Sequence, residues 1–218
     1  MTRWRRLVMT GILVSAALSA GPSVAVAGAD GCTDVELVFA RGTGEPPGLG
    51  RVGDALVGAL APKLGGRTLS TYAVNYPASV NFLTTGDGAN DAAAHIAATV
   101  AQCPGTRIAL GGFSQGAAVV AMLAGVNPLG NTVGNLGSAP PLAPPLADRV
   151  AAVAVFGGPS ARFGTPLSGA GAFAGRALDM CAPGDPICEP GGRSRAAHNG
   201  YEFAPYPAQA AGFLAGLL

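Results

Sequence analysis

The sequence predicts a single α/β domain built on a parallel sheet. Apolar, β-rich segments alternate along the chain with segments whose apolar residues recur at helical spacing, and parallel strands need crossover connections of that kind. The length of 218 residues suits one domain, and the 34 glycines and 18 prolines fall between the apolar runs, as expected of turns. We therefore expect a sheet flanked by helices, with one strand for each β-rich segment.

The first strand–helix unit begins at residue 34. Residues 34–40 alternate polar and apolar side chains at first, as a strand does, and a loop containing glycine and proline follows. Apolar residues then recur at spacings of three or four, which places them on one face of a helix. These residues are Leu49, Val52, Leu56 and Leu60.

The second unit comprises a strand at residues 69–76 and a helix at residues 90–102. The helix is rich in alanine, and Asn90 or Asp91 is expected to cap its first turn. The intervening residues 77–89 are predicted as a loop.

The second half of the domain supplies three further strands. The third strand ends in the segment G-G-F-S-Q-G of residues 111–116, and the run at residues 150–156 is apolar, as expected of a strand buried on both faces. The predicted elements are a strand at 107–110, a helix to about 124, strands at 150–156 and 177–180, and a helix at 207–218, with a long irregular loop at 129–148.

The first 27 residues have the pattern of a secretory signal. Three arginines precede an uncharged run that ends in two overlapping A-x-A patterns near residue 27. The alternative is an uncleaved anchor helix, but a Gly-Pro pair interrupts the run. We therefore expect residues 1–27 to be removed and residues 28–218 to form the secreted domain, with no membrane span after cleavage.

The composition excludes two classes of protein. Hydrophobic residues make up 49% of the chain and charged residues 11%, which excludes a solvated disordered chain. Without the signal, ten basic and twelve acidic residues remain, so the formal net charge changes from +1 to −2. The secreted domain therefore has no basic excess of the kind that binds nucleic acid.

The four cysteines fit an exported chain, because an oxidising compartment allows them to pair. They are Cys32, Cys103, Cys181 and Cys188. Four cysteines allow three connectivities, and the short spacing of the last two favours a small ring, which leaves the first two to pair with each other. A metal site is the alternative, but the sequence has no C-x-x-C pattern and no histidine spaced like a zinc-finger ligand.

The pentapeptide G-F-S-Q-G at residues 112–116 follows a predicted strand and precedes a predicted helix. In that context the turn projects the Ser114 hydroxyl above the sheet. It also directs the N–H of Gln115 into the same space, near the positive end of a helix, where an oxyanion would be stabilised. The alternative is a glycine-rich turn with an incidental serine. The motif predicts a nucleophile that needs a base.

His95 and His198 are the two histidines of the chain. His95 lies inside a predicted helix and precedes the serine. His198 lies in a loop-like segment after the last predicted strand, where the base of such a serine is expected, although it could also be an exposed loop histidine. We therefore predict that His198 is the base.

The acid that orients the histidine should lie between Ser114 and His198 in the sequence. Asp185 ranks first because it follows the last predicted strand, lies between two prolines and falls inside the predicted small disulfide ring, which would fix its backbone. The alternative is a turn aspartate beside proline. The other candidates are Asp148, Asp179 and Glu189.

These residues together resemble the cutinase family, and in particular the secreted cutinase-like esterases of actinobacteria. The matching motifs are F-A-R-G-T at the first strand, G-F-S-Q-G, C-A-P-G-D-P-I-C and a histidine 13 positions beyond the aspartate of the third motif. The resemblance implies a single-domain α/β-hydrolase without a large lid, a five-stranded parallel sheet, two disulfides and hydrolysis of carboxylic esters through a Ser-Asp-His triad.

The resemblance also implies a role for individual residues. The nucleophile, acid and base are Ser114, Asp185 and His198, and the oxyanion hole takes Thr43 and Gln115. Fungal members often have serine where this chain has Thr43, and tyrosine where it has Phe113. Neither difference removes a required group, and no metal or organic cofactor is implied.

We expect a secreted, monomeric serine esterase that acts on short- to medium-chain fatty-acid esters, cutin or lipids. The alternatives are an acyltransferase or a phospholipase of the same fold, or a non-catalytic secreted binding module that keeps the scaffold. A complete triad favours an enzyme, since a binding module has no need of all three groups.

Overall fold

The computed structural model describes Met1 and residues 31–130 and 135–218. The predicted signal sequence and its cleavage site lie outside the described residues, and so does part of the predicted loop at residues 129–148. Residues Gly31–Leu218 form one compact unit.

Five parallel strands form the sheet, in the spatial order β2-β1-β3-β4-β5. They are β1 (Val35–Ala40), β2 (Leu69–Ala73), β3 (Arg107–Phe113), β4 (Val150–Phe156) and β5 (Ala177–Met180). Every neighbouring pair is parallel, so the carboxyl ends of all five strands lie at one edge. This confirms the predicted five-stranded parallel sheet.

The direction of strand addition reverses at β1, because the chain places β2 on one side of it and β3 on the other. In open α/β sheets a crevice forms at the carboxyl ends of two strands related in this way. The loop after β1 and the turn after β3 therefore share one crevice.

Helices cover both faces of the sheet. In chain order they are α1 (Gly50–Leu60), α2 (Thr85–Gln102), α3 (Gln115–Leu123), α4 (Pro144–Ala147), α5 (Pro159–Arg162), α6 (Arg195–His198) and α7 (Tyr206–Leu217). Leu37 and Phe39 of β1 belong to the core under α1 and α7, whereas Val38 and Ala40 belong to the core under α2 and α3. Because side chains alternate between the faces, β1 is buried throughout.

Helix α2 begins at Thr85, five residues before its predicted start. Residues 85–89 have the composition of a loop, but they are helical because they pack closely against the backbone of Ser138 and the side chain of Val119. The predicted N-cap at Asn90 or Asp91 is therefore wrong. Asp91 lies inside the helix, and its carboxylate accepts hydrogen bonds from the Tyr72 hydroxyl and a backbone N–H.

Strand β3 runs to Phe113, three residues further than predicted, because its two glycines pair with β4. Strand β2 ends at Ala73, and the predicted long loop contains the short helix α4. The other predicted boundaries agree with the structure to within about a residue. None of the helices in residues 31–130 and 135–218 is long and apolar enough to cross a membrane.

Candidate active site

Ser114 occupies the turn between β3 and α3 with φ 55° and ψ −112°, in the left-handed half of backbone space that side chains rarely adopt. The residue two positions on has no room for a side chain, since a Cβ on Gly116 would lie 1.9 Å from the Ala40 carbonyl oxygen. The close approach of α3 to the end of β1 thus explains this glycine of the pentapeptide. The turn holds the serine at the carboxyl edge of the sheet.

His198 ends the short helix α6, which replaces the loop predicted there. The Ser194 hydroxyl caps this helix by accepting the N–H of Ala197 at 3.1 Å. The imidazole Nε2 lies 2.9 Å from the Ser114 Oγ, and the ring packs against Phe113 with centroids 5.1 Å apart. The helix cap and the aromatic contact together fix the ring beside the serine.

The carboxylate of Asp185 lies on the far side of the imidazole and is fully buried. Its Oδ2 is 2.9 Å from His198 Nδ1, its Oδ1 accepts the N–H of Ile187 at 2.7 Å, and its Oδ2 also accepts the Tyr201 hydroxyl at 2.6 Å. Burial raises the pKa of Asp185, but the hydrogen bonds from His198, Tyr201 and Ile187 outweigh it and hold the pKa below its ordinary value. The carboxylate is therefore ionised at neutral pH.

Asp185 lies in a ring closed by the Cys181–Cys188 disulfide. The ring is braced by the Glu189 carboxylate, which accepts the N–H of Gly184, and by the Ser194 N–H, which donates to the Gly184 carbonyl at 2.8 Å. The second disulfide joins Cys32 to Cys103. Its cysteines precede β1 and β3, so it lies at the opposite edge of the sheet. The structure thus has the two pairs favoured by the sequence.

Gly157 forms the floor beneath the acid and the base. It follows β4 with φ 57°, and a Cβ there would lie 2.9 Å from the ring of His198 and 3.0 Å from Asp185 Oδ2. The imidazole and the carboxylate therefore rest directly on the backbone of the sheet.

Tyr201 is a residue of the site that the sequence did not single out. It is fully buried, its hydroxyl accepts the N–H of Ala182 at 2.8 Å, and it donates to Asp185. Burial raises the pKa of Tyr201, and the hydrogen bond to the Asp185 carboxylate raises it further. The hydroxyl therefore keeps its proton and remains a donor. No local pattern in the sequence marks this tyrosine, which follows His198 by three positions.

The Gln115 side chain connects the two loops beside the serine. Its Oε1 accepts the Thr43 hydroxyl at 2.9 Å, and its Nε2 donates to the Thr85 hydroxyl at 2.9 Å. The Thr43 proton is therefore directed at Gln115 in this structure. The backbone N–H of Gln115 begins α3, where the first N–H groups have no intrahelical acceptor.

The structure leaves the other candidates outside the site. The His95 Nε2 lies 3.0 Å from Glu36 Oε1, and its ring stacks on Tyr72 on the α2 side of the sheet. Asp179 accepts backbone N–H groups of residues 167 and 168, and Glu189 braces the disulfide ring. No hydrogen bond joins Asp148 to the site within the described residues. Serine, histidine and aspartate meet only at Ser114, His198 and Asp185 in the part of the chain that is described.

In the described ranges no cluster of three or more histidine, cysteine, aspartate or glutamate side chains could hold a metal ion. The arrangement that is present supplies a nucleophile, a base in contact with it, and a buried carboxylate in contact with the base.

Comparison with known proteins gives a consistent result. The model of the family described as Cutinase matches residues 31–218. Over 191 residues the chain is 50% identical to the probable carboxylesterase Culp3 of Mycobacterium tuberculosis, covering 87% of this chain and 71% of that protein. It is 46% identical to the phospholipase Culp4 of the same species over 195 residues, covering 87% of this chain and 83% of the relative.

A solved structure shares the fold. The Trichoderma reesei cutinase, in complex with a phosphonate inhibitor, superposes with a TM-score of 0.67 at 32% sequence identity, and the match covers 85% of this chain and 77% of that one.

Proposed function

Because the chain belongs to the cutinase family of carboxylic ester hydrolases, we propose that it cleaves esters through Ser114, His198 and Asp185. One observation carries this proposal. A line of hydrogen bonds runs from the Ser114 hydroxyl through both ring nitrogens of His198 to the buried Asp185 carboxylate. A serine in contact with a base that a carboxylate orients is the arrangement needed for acyl transfer.

The first half of the reaction acylates the serine. His198 Nε2 takes the Ser114 proton while Oγ attacks the ester carbonyl carbon, and the Asp185 carboxylate stabilises the imidazolium that results. The carbon–oxygen bond to the alcohol then breaks, and the departing oxygen takes the proton from His198 Nε2. The acyl group remains on Ser114 Oγ.

The second half returns the enzyme to its starting state. A water molecule gives a proton to His198 Nε2 and attacks the acyl carbon, and the bond to Ser114 Oγ breaks as Oγ recovers that proton. The carboxylic acid leaves.

Backbone N–H groups stabilise the oxyanion formed in each half. The N–H of Gln115 lies at the start of α3, and the N–H of Thr43 has no acceptor among the described residues. The Thr43 hydroxyl positions its loop through Gln115. Each such donor is worth about 2.7–4 kcal/mol of transition-state stabilisation.

The substrates we propose are esters of short- to medium-chain fatty acids. The segment leading into α2 carries Val80 and Leu83, two apolar residues that are 83% and 55% exposed. This segment is tied to the oxyanion loop, because the Gly44 N–H donates to the Ala78 carbonyl at 2.7 Å. Exposed apolar side chains beside the oxyanion donors favour an apolar acyl group.

We further propose that residues 28–218 are secreted. The two disulfides support an oxidising compartment. The monomeric state expected from the sequence stays a prediction.

The function is tested by hydrolysis of p-nitrophenyl esters of increasing chain length. Wild-type protein should hydrolyse these esters. Ser114→Ala should lose about 10⁴-fold or more in kcat, while its unfolding temperature stays that of the wild type. A fluorescent alkyl phosphonate should label the wild type and leave the variant unlabelled. Inactivity on every chain length, with no phosphonate labelling, would contradict the esterase proposal and favour the non-catalytic binding module.

The two histidines provide a matched pair for the same assay. His198→Ala should lose activity on the scale of Ser114→Ala. His95→Ala should keep its kcat to within about twofold, because its ring contacts Glu36 and Tyr72 away from the serine. The reverse pattern would overturn the triad.

A further inference from the structure

A cleft of about 370 Å³ opens beside the catalytic histidine. It is lined by Pro186 and Ile187 of the disulfide ring, by Arg193 and Arg195, and by His198 and Asn199. Both arginines are exposed at its rim. Two arginines thus line a cavity that also contacts the proposed base.

The backbone that carries these arginines is held firmly. Ser194, which lies between them, donates its N–H to the Gly184 carbonyl at 2.8 Å and caps α6 with its hydroxyl. The arginine positions are therefore fixed to the same ring and helix that hold Asp185 and His198.

The negative charges near the cleft already have partners. Asp185 is buried against His198, Glu189 accepts the N–H of Gly184, and Glu202 pairs with Arg51 at 2.6 Å. Within the described ranges, neither Arg193 nor Arg195 forms a salt bridge or a side-chain hydrogen bond. The cleft is therefore a local region of positive charge, although residues 28–218 have a net charge of −2.

We infer that Arg193 and Arg195 bind an anionic group, a phosphate or a carboxylate, on the alcohol part of the substrate ester. The inference rests on the proposed function, in which the departing alcohol oxygen takes its proton from His198. We place the departing alcohol in this cleft because His198, which would protonate it, is one of the cleft's lining residues. Guanidinium groups bind phosphate and carboxylate oxygens through paired N–H donors, so two of them suit an alcohol that carries such a group.

The test compares two soluble esters that differ by one phosphate group on the alcohol part, 1-butyrylglycerol 3-phosphate and 1-butyrylglycerol. The double variant R193Q/R195Q should lose about threefold to tenfold in kcat/KM on the phosphate ester, the effect of two exposed ion pairs, and stay within twofold on the neutral ester. The loss should shrink at 0.5 M NaCl, because salt screens exposed charges. Neither ester forms bilayers, so attraction to a membrane surface does not contribute.

The variant R67Q/R107Q is the control, since it removes the same charge at the starts of β2 and β3, at the opposite edge of the sheet. This control should leave unchanged the ratio of kcat/KM on the phosphate ester to kcat/KM on the neutral ester. A second pair of esters, mono-p-nitrophenyl adipate and p-nitrophenyl hexanoate, places the charge on the acyl part and should show no selective loss in R193Q/R195Q.

Several results would overturn the inference. If R193Q/R195Q lost the same kcat/KM on charged and neutral esters, the arginines would affect only the structure of the site and not the binding of an anion. A selective loss on the adipate ester would place the anion on the acyl side. No loss on either ester would leave the arginines without this role. If wild-type protein hydrolyses no ester of either pair, the proposed function itself fails, which the Ser114→Ala comparison shows independently.

Discussion

The hydroxyl of Tyr201 links the backbone of the disulfide ring to the proposed acid. It accepts the N–H of Ala182 and donates to Asp185, while its ring stands edge-on to His198 with centroids 6.3 Å apart. One side chain thus contacts the disulfide ring, the proposed acid and the proposed base. In the proposed mechanism Tyr201 is therefore a positioning residue, which acts on the ester only through Asp185 and His198.

Tyr201→Phe keeps the aromatic ring and removes the hydroxyl. We expect kcat to fall roughly tenfold to a hundredfold, the equivalent of one hydrogen bond to a charged group. The acidic limb of the pH profile of kcat/KM should move to higher pH, because the Tyr201 hydrogen bond lowers the pKa of Asp185 and the carboxylate binds a proton more readily without it. A purely structural role would leave that limb in place.

Tyr206→Phe is the matched control for this substitution. Tyr206 packs on Tyr201 with ring centroids 5.0 Å apart, and its hydroxyl has no hydrogen bond within the described residues. Its kcat and pH profile should be those of the wild type. Equal behaviour of the two variants would show that the Tyr201 hydroxyl has no special role.

The sequence could single out residues whose positions follow from a local pattern. Ser114 lies in a strand–turn–helix motif, and chain order separates His198 from His95. Tyr201 lies in no such local pattern. Its role depends on a hydrogen bond to Asp185, 16 residues earlier in the chain, and this bond forms only when the disulfide ring packs against the loop after α6. The same holds for the side chain of Gln115, which bridges Thr43 and Thr85, whereas the role of its backbone N–H followed from the motif.

The two disulfides stabilise different parts of the fold. Removing one or the other should therefore affect stability and activity to different extents. The Cys181–Cys188 bridge closes a loop with a sequence separation of 7, whereas Cys32–Cys103 closes one of 71. Chain entropy assigns about 2–3 kcal/mol to the short loop and about 4 kcal/mol to the long one.

Replacing each pair by serines should therefore give crossed effects. Without Cys32–Cys103 the free energy of unfolding should fall more, while kcat at a temperature that keeps the protein folded stays near the wild-type value. Without Cys181–Cys188 the stability loss should be smaller and the loss of kcat larger, because the loop that holds Asp185 is freed. Denaturant titration and ester hydrolysis measure the two quantities. If both variants lose activity in proportion to stability, the ring has no separate role in the site.

The observed ends of helices and strands show how far local sequence patterns can predict the structure. The periodic run from Leu49 to Leu60 predicts α1 to within a residue, because its apolar face is the one that packs. The start of α2 was missed, since residues 85–89 are helical only through tertiary packing. Strand β3 was extended for the same kind of reason, as its glycines gain β structure from pairing with β4.

At the scale of the whole molecule, the two edges of the sheet have different roles. The carboxyl edge carries Ser114, His198, Asp185 and the arginine-lined cleft, and the opposite edge carries the long-loop disulfide. Alternation of strands and helices in the sequence was enough to predict a parallel sheet, whose carboxyl ends all lie at one edge. The division of roles between the two edges was not predicted. The contents of the long loop could not be predicted, because its composition has no period.

The stability of the folded chain should respond to acid partly through Asp185. Its pKa is lowered in the folded state, so its contribution to stability is present above the ordinary value of 3.8 and is lost as the pH falls through the folded value. Compared with Asp185→Asn, wild-type protein should be more stable by about 1–3 kcal/mol at pH 6, and this difference should narrow below pH 3.8.

Denaturant titrations of both proteins between pH 6 and pH 3 provide the measurement. The pKa of Asp34 is also lowered, by hydrogen bonds from Thr68, but Asp34 is present in both proteins and cancels in the difference. A difference that stays constant across this range would contradict the role given to Asp185.

The absence of a side chain at Gly157 limits which substitutions this protein can accept. A methyl group there would displace both the imidazole and the carboxylate above it, so a position without any functional group would behave in mutagenesis as though it were catalytic. The underside of the site is therefore closed to variation. We therefore expect new substrate preferences, whether selected in nature or engineered, to arise on the solvent side, in the segment carrying Val80 and Leu83 and in the loop carrying Arg193 and Arg195.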